Sequence, residues 1–89
     1  MTNEQHDRIL LLIAKEMQRV LDFNDPMCPE EFDFLLQELI RKKILDYSFD
    51  DEEDDWMYFL SEPALKMFEG MEEHPDESLT LVARVMINS

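Results

Sequence analysis

One glycine, one cysteine and two histidines stand in 89 residues, and only eight Lys and Arg side chains face 22 carboxylates. Each shortage removes a class of chemistry. A single glycine leaves no room for a glycine-rich loop whose backbone wraps a phosphate. The single cysteine, Cys28, forbids an internal disulfide and suits a reducing compartment. His6 and His74 are isolated and share no metal-ligand spacing with each other or with Cys28, so no metal and no cofactor are expected. No apolar run approaches the roughly 18 residues that a membrane span needs. The start, Met1-Thr2-Asn3-Glu4-Gln5, has no basic n-region, so a cytoplasmic location is expected. The shortage of bases matters most. Phosphate binding is driven by Lys and Arg, so a net charge of −14 argues against direct contact with nucleic acid or an anionic membrane. It favours a basic protein as partner and speeds encounter with one.

What is present suffices for one small core. Hydrophobic residues make up 45% of the chain and aromatics 10%, which is the composition of a folded domain spanning residues 1–89. Thr2 and Gln5 form a capping box that opens a helix. Ile9, Ile13, Met17, Val20 and Leu21 fall on one face of it, and Leu10, Leu11 and Leu12 widen that face. A face so wide belongs to a central helix, or leaves one flank free to bind. Phe23-Asn24-Asp25-Pro26 ends the helix. A second helix opens at Pro29-Glu30-Glu31, where the proline fits the first turn and the acids meet the positive dipole end. Its apolar face is Phe32, Leu35, Leu36, Leu39 and Ile40, and Arg41-Lys42-Lys43 complement its C-terminus. Ser61 caps a third helix with Pro63 in its first turn and Gly70 at its end. Leu79 to Ile87 fits either a helix or an alternating strand, and the opening Pro75-Asp76-Glu77 favours the helix.

Between the second and third helices stand Asp50, Asp51, Glu52, Glu53, Asp54 and Asp55, six consecutive carboxylates. Leu45-Asp46-Tyr47-Ser48-Phe49 before them and Trp56-Met57-Tyr58-Phe59-Leu60 after them read as the strands of a β-hairpin. Without these six acids the net charge is still −8, so the acidity is general. A tip of pure charge must face water, a cation or a basic partner. One strand face is expected to join the core and the other to stay open. Trp56 and Tyr58 are candidate aromatic anchors beside the charge.

Catalysis finds little support. Acid–base chemistry needs two carboxyls in different environments, whereas these acids look uniformly solvated. Cys28 precedes a helix N-terminus, which lowers a thiol pKa somewhat, yet no base marks it as a nucleophile. A calcium loop counted from Asp46 fails, because its sixth residue is Asp51 and its twelfth Met57. No enzyme is expected.

Residues 29–69 resemble the second half of a winged-helix domain of the MarR and PadR regulator type. Leu35 to Lys43 is similar to the recognition helix, Ile44-Leu45 to the stop after it, and Tyr47 to Phe59 to the wing. Leu60-Ser61-Glu62-Pro63-Ala64-Leu65 is similar to the segment that opens the next helix. One long helix precedes Pro29 where that family has two shorter ones, and the wing tip is acidic where a DNA reader is basic. The resemblance therefore implies the architecture and a protein-interaction use of it, not DNA binding.

The reading that results is a small α+β domain, helix-helix-β-hairpin-helix-helix and winged-helix-like. It acts without catalysis, binding a basic, nucleic-acid-binding protein and blocking or modulating it. Asp50 to Asp55, Trp56 and Tyr58 form the binding site, and a homodimer through Leu79–Ile87 is possible. The profile is similar to that of small phage-encoded DNA mimics and of anti-restriction or anti-CRISPR inhibitors. Two rivals remain: an immunity or antitoxin protein against a basic nuclease, and a transcription regulator reading DNA through Arg41, Lys42 and Lys43.

Overall fold

The capping box at the N-terminus closes in both directions. The Gln5 N–H donates to Thr2 Oγ1 at 3.2 Å, and the Thr2 N–H donates to Gln5 Oε1 at 2.8 Å. From there the computed structural model, which describes residues 1–89, runs through α1 (Asn3–Leu21), α2 (Pro29–Arg41), β1 (Leu45–Asp50), β2 (Asp55–Leu60), α3 (Glu62–Phe68) and α4 (Asp76–Ile87). The expected α+β order is the observed one. No helix is long and apolar enough to cross a membrane. The ambiguous last segment is helical. Its buried residues, Leu79, Ala83 and Ile87, recur every fourth position, while Leu81 and Val85 face solvent.

One apolar cluster holds these elements together. Ile9, Ile13 and Met17 of α1 meet Leu35 and Leu39 of α2, Ala64 and Phe68 of α3, and Leu79, Ala83 and Ile87 of α4. Ile44, Leu45 and Leu60 bring the base of the hairpin into the same cluster. Four polar contacts then fix where the hairpin leaves the body. Ser61 Oγ donates to the Lys43 carbonyl at 2.6 Å and accepts from the Ala64 N–H at 3.2 Å, so the cap of α3 also ties the two ends of the hairpin. The Ser61 N–H donates to the Ile44 carbonyl at 3.0 Å. His6 Nε2 accepts the Leu60 N–H at 3.1 Å, which joins α1 to β2 through an unprotonated ring nitrogen.

Helix α1 departs from its expected apolar face at two positions. Val20 is 44% exposed, and Glu16 is buried in the face instead. Both follow from how α4 lies beside α1. Arg8 Nε donates to Asp76 Oδ1 at 2.7 Å, and Arg84 Nε donates to Glu16 Oε1 at 2.9 Å. Both pairs are 68 residues apart in sequence, so the two helices run parallel with matched rungs. The same offset sets Val20 against Asn88, where α4 has already ended. Arg8 also donates to the carbonyls of Glu72 (3.0 Å) and His74 (2.6 Å), pinning the loop before α4.

Glu16 contradicts the expectation of uniformly solvated acids. Arg19 bonds it through Nε and Nη2, and Arg84 adds a third donor. The Arg19 bond, then that of Arg84, holds its carboxyl down from an ordinary 4.5 to about 2, against the opposing pull of burial. A depressed carboxyl stabilises the fold fully above its unfolded pKa and loses that contribution as pH falls through the native one. The shift alone would be worth roughly 3 kcal/mol. The two arginines are half exposed, which reduces this to about 1–2 kcal/mol. We predict that Glu16→Gln loses about that much at neutral pH. The difference from the wild type should shrink between pH 4.5 and about 2, and urea titrations across that range measure it. A constant difference would exclude the charge as the cause.

Candidate interaction surface

The strand register decides which side chains share a face. Leu45 pairs with Leu60, Tyr47 with Tyr58 and Phe49 with Trp56, and these six lie on one face. Asp46 with Phe59, Ser48 with Met57 and Asp50 with Asp55 lie on the other. Only Leu45 and Leu60 are buried; between them every residue is exposed except the half-buried Asp50. The expectation that one whole face joins the core therefore holds only at the base. The hairpin is a two-stranded sheet with no third strand, and the helical body covers only its root.

Trp56 and Tyr58 consequently stand outside the core, 52% and 37% exposed. The Trp56 ring packs edge-on against Tyr47 at 5.6 Å and against Phe49 at 5.3 Å. Tyr47 and Phe49 thus belong to the same surface, although the sequence reading left them out. Their period-2 spacing from Leu45 was the available signal, but only the pairing across the loop brings them to Trp56.

At the tip, Asp50 Oδ1 accepts the N–H groups of Glu52 (2.9 Å) and Glu53 (3.4 Å), a side-chain turn that explains why Asp50 alone is half-buried. Asp54 closes the loop in the left-handed region at φ 52°. Asp50 and Asp55 then face each other directly across the strands, a like-charge pair that works against the hairpin. No residue from Asp50 to Asp55 enters an ion pair. One projection thus carries all eight expected site residues: the rings along one face, Asp50 and Asp55 on the other, and four free carboxylates at the end.

A second feature lies at the root of the hairpin. Between α1 and α2 an open apolar groove of about 310 Å³ is lined by Leu10, Leu11 and Ala14, and by Phe32, Leu35, Leu36 and Leu39. Leu45 and Tyr58 complete its lining, and Asp7 is its single polar residue. The wide apolar face of α1 is therefore shared: Ile9, Ile13 and Met17 serve the core, and Leu11 stays 56% exposed in the groove.

The remaining candidates resolve differently. The Cys28 thiol is pushed up, not down. A Glu31 backbone bond favours its thiolate, but burial and the Glu31 and Glu30 side chains outweigh it. Arg41 is bonded to Glu38 at 2.7 Å, so only Lys42 and Lys43 of the basic cluster lack an ion-pair partner. No group of three His, Cys, Asp or Glu side chains is disposed to hold a metal ion. Of Leu79–Ile87, the core takes Leu79, Ala83 and Ile87, which leaves Leu81 and Val85 as its exposed apolar side chains. No protein-family model matches the chain, and neither a curated protein nor a solved structure gives a significant match to it.

Two outcomes are expected of this geometry. Trp56 is the only tryptophan, so its emission in the folded protein should already be red-shifted and quenched by acrylamide nearly as well as in urea. Replacing Asp51, Glu52, Glu53 and Asp54 by Asn and Gln should leave the circular dichroism unchanged and raise the melting temperature at low salt. That gain should fade at about 0.5 M salt, where exposed charges are screened. A blue-shifted, protected tryptophan would mean that the hairpin folds back on the body.

Proposed function

We propose that this chain is a non-catalytic acidic module that binds a basic, nucleic-acid-binding protein and blocks or modulates it as a DNA mimic does. The observation that carries the reading is the set of free carboxylates held at the end of a projecting hairpin beside an exposed row of aromatic rings. Carboxylates at successive positions present acceptors to Lys and Arg much as a phosphate backbone does, and charge-assisted bonds form as counterions leave. The repulsion among them is already met within the fold, so binding a basic surface relieves it. Trp56 and Tyr58 supply anchors whose affinity does not depend on charge. The winged-helix-like order, with a hairpin as wing, suits an interaction module. A cytoplasmic setting suits the single thiol.

Neutralisation of a nuclease toxin by an immunity protein would use the same surface. The identity of the captured protein separates that use from an anti-defence role. The regulator reading draws less support, since Arg41 is engaged by Glu38. Self-association through Leu79–Ile87 would rest on Leu81 and Val85.

The test is affinity capture from lysate with the wild type and with the variant neutralised at Asp51, Glu52, Glu53 and Asp54. We expect the wild type to retain a nucleic-acid-binding protein that elutes between about 50 mM and 0.5 M salt. The variant should lose it, and the purified pair should exclude DNA from the partner. Equal capture by both proteins would sink the assignment of the site. Salt-dependent DNA binding by the purified chain itself would restore the regulator.

A further inference from the structure

The groove between α1 and α2 is apolar, open and unused by the charge argument. We infer that it seats an amphipathic basic helix of the partner, with the apolar side of that helix in the groove and its Lys and Arg residues toward the surrounding acids. The inference rests on the interaction-module reading and specifies which segment of the partner is bound.

The groove is not isolated. Tyr58 lines it and also borders the hollow formed by Gln37, Ile40, Tyr47 and Trp56, so the groove adjoins the ring-bearing face of the hairpin through a shared wall. Leu11, Phe32, Tyr58 and Trp56 along this path are between 37% and 56% exposed. Contiguous apolar surface rimmed by charge marks an interaction site on a soluble protein. A single polar lining residue, Asp7, offers too few convergent groups to orient a small molecule. A trough walled by two helices instead accepts the ridge of a third, with anchors at i, i+3 or i+4, and i+7.

Charge selects the occupant. Asp7 lines the groove, helical spacing sets Glu4 beside Asp7, Glu31 beside Leu35 and Asp33 beside Leu36, against Lys15 beside Leu11, and the four tip carboxylates stand beyond. A helix with Lys and Arg flanking its apolar stripe complements that rim. A second copy of this chain would bring another −14 against it.

The probe is a labelled peptide of Leu and Lys, about 18 residues long so that it can form a helix, with Leu at helical spacing. A peptide of the same composition with that spacing scrambled serves as the control. Three proteins are compared by fluorescence anisotropy: wild type, the double variant Leu11→Gln and Phe32→Gln, and the neutralised tip. Leu11 and Phe32 are half exposed, so the double variant should keep its fold, which circular dichroism checks. We expect the periodic peptide to bind the wild type at least about tenfold more tightly than the scrambled one. The double variant should abolish that preference, and the tip variant should weaken both peptides while preserving it. Equal binding of both peptides, or a preference that survives the double variant, would overturn the groove. So would a concentration-dependent dimer that buries Leu11 and Phe32. A preference that persists with no loss in the tip variant supports the groove and overturns only the role of the tip.

Discussion

Self-repulsion is the constraint on which the rest of this structure depends. With 22 acids and eight bases, compaction must be achieved with few attractive pairs, and the chain spends its bases accordingly. Arg8, Arg19, Arg41, Lys66 and Arg84 all sit in ion pairs, leaving Lys15, Lys42 and Lys43 outside any. Two of the five, Arg8 and Arg84, join α1 to the α4 region, and these pairs set the parallel alignment of the longest helix against the last. Glu16 is the one acid drawn into the core surface, and it is admitted because two guanidinium groups meet it there. A buried carboxylate without them would cost far more than the packing around it returns. The acids that no base can reach are displaced outward. The hairpin tip, which the body does not cover, is where six of them can coexist.

The same constraint explains the shape of the hairpin. A tip folded back on the body would bring its carboxylates close to those of the helices. Extended, it keeps them apart in water, but it then leaves the aromatic residues of its strands without a cover. Tyr47, Phe49, Trp56 and Tyr58 respond by packing on one another, edge to face, which recovers part of the contact that a core would have supplied. The exposed rings are thus a consequence of where the charge must go.

The helices were legible in the sequence because their signals are local. Thr2 with Gln5, Pro29 with two acids, Ser61 with Pro63, and Pro75 with Asp76 each mark a boundary within four residues, and each helix opens at that mark. What escaped depends on residues far apart. Glu16 reads as a solvent-facing acid until Arg84 is set beside it. Val20 reads as core until α4 proves too short to cover it. In the hairpin, Trp56 and Tyr58 were legible as residue types next to charge, whereas Tyr47 and Phe49 needed the strand register. The excess of leucine at Leu10 to Leu12 signalled either a central helix or a binding flank. The first is realised, and α2 also leaves a gap on one side of α1, lined by Leu10 and Leu11, that no local pattern records.

Charge and apolar surface have different parts to play in binding of this kind. Exposed ion pairs are worth about 0–1 kcal/mol each and weaken with salt. The tip alone would therefore give fast encounter and fast release. Aromatic and aliphatic burial is insensitive to ionic strength and supplies residence time. On the proposed reading the hairpin orders these contributions in space. The carboxylates stand farthest out and act first, at a distance. The rings lie along the strand face, and the groove waits at the root, reached only by a partner segment that matches its shape. A partner matched in charge alone would be held at the tip and lost; one matched in both would be drawn down onto α1 and α2. Specificity then resides in the apolar root, while the six acids that dominate the sequence set the rate of encounter.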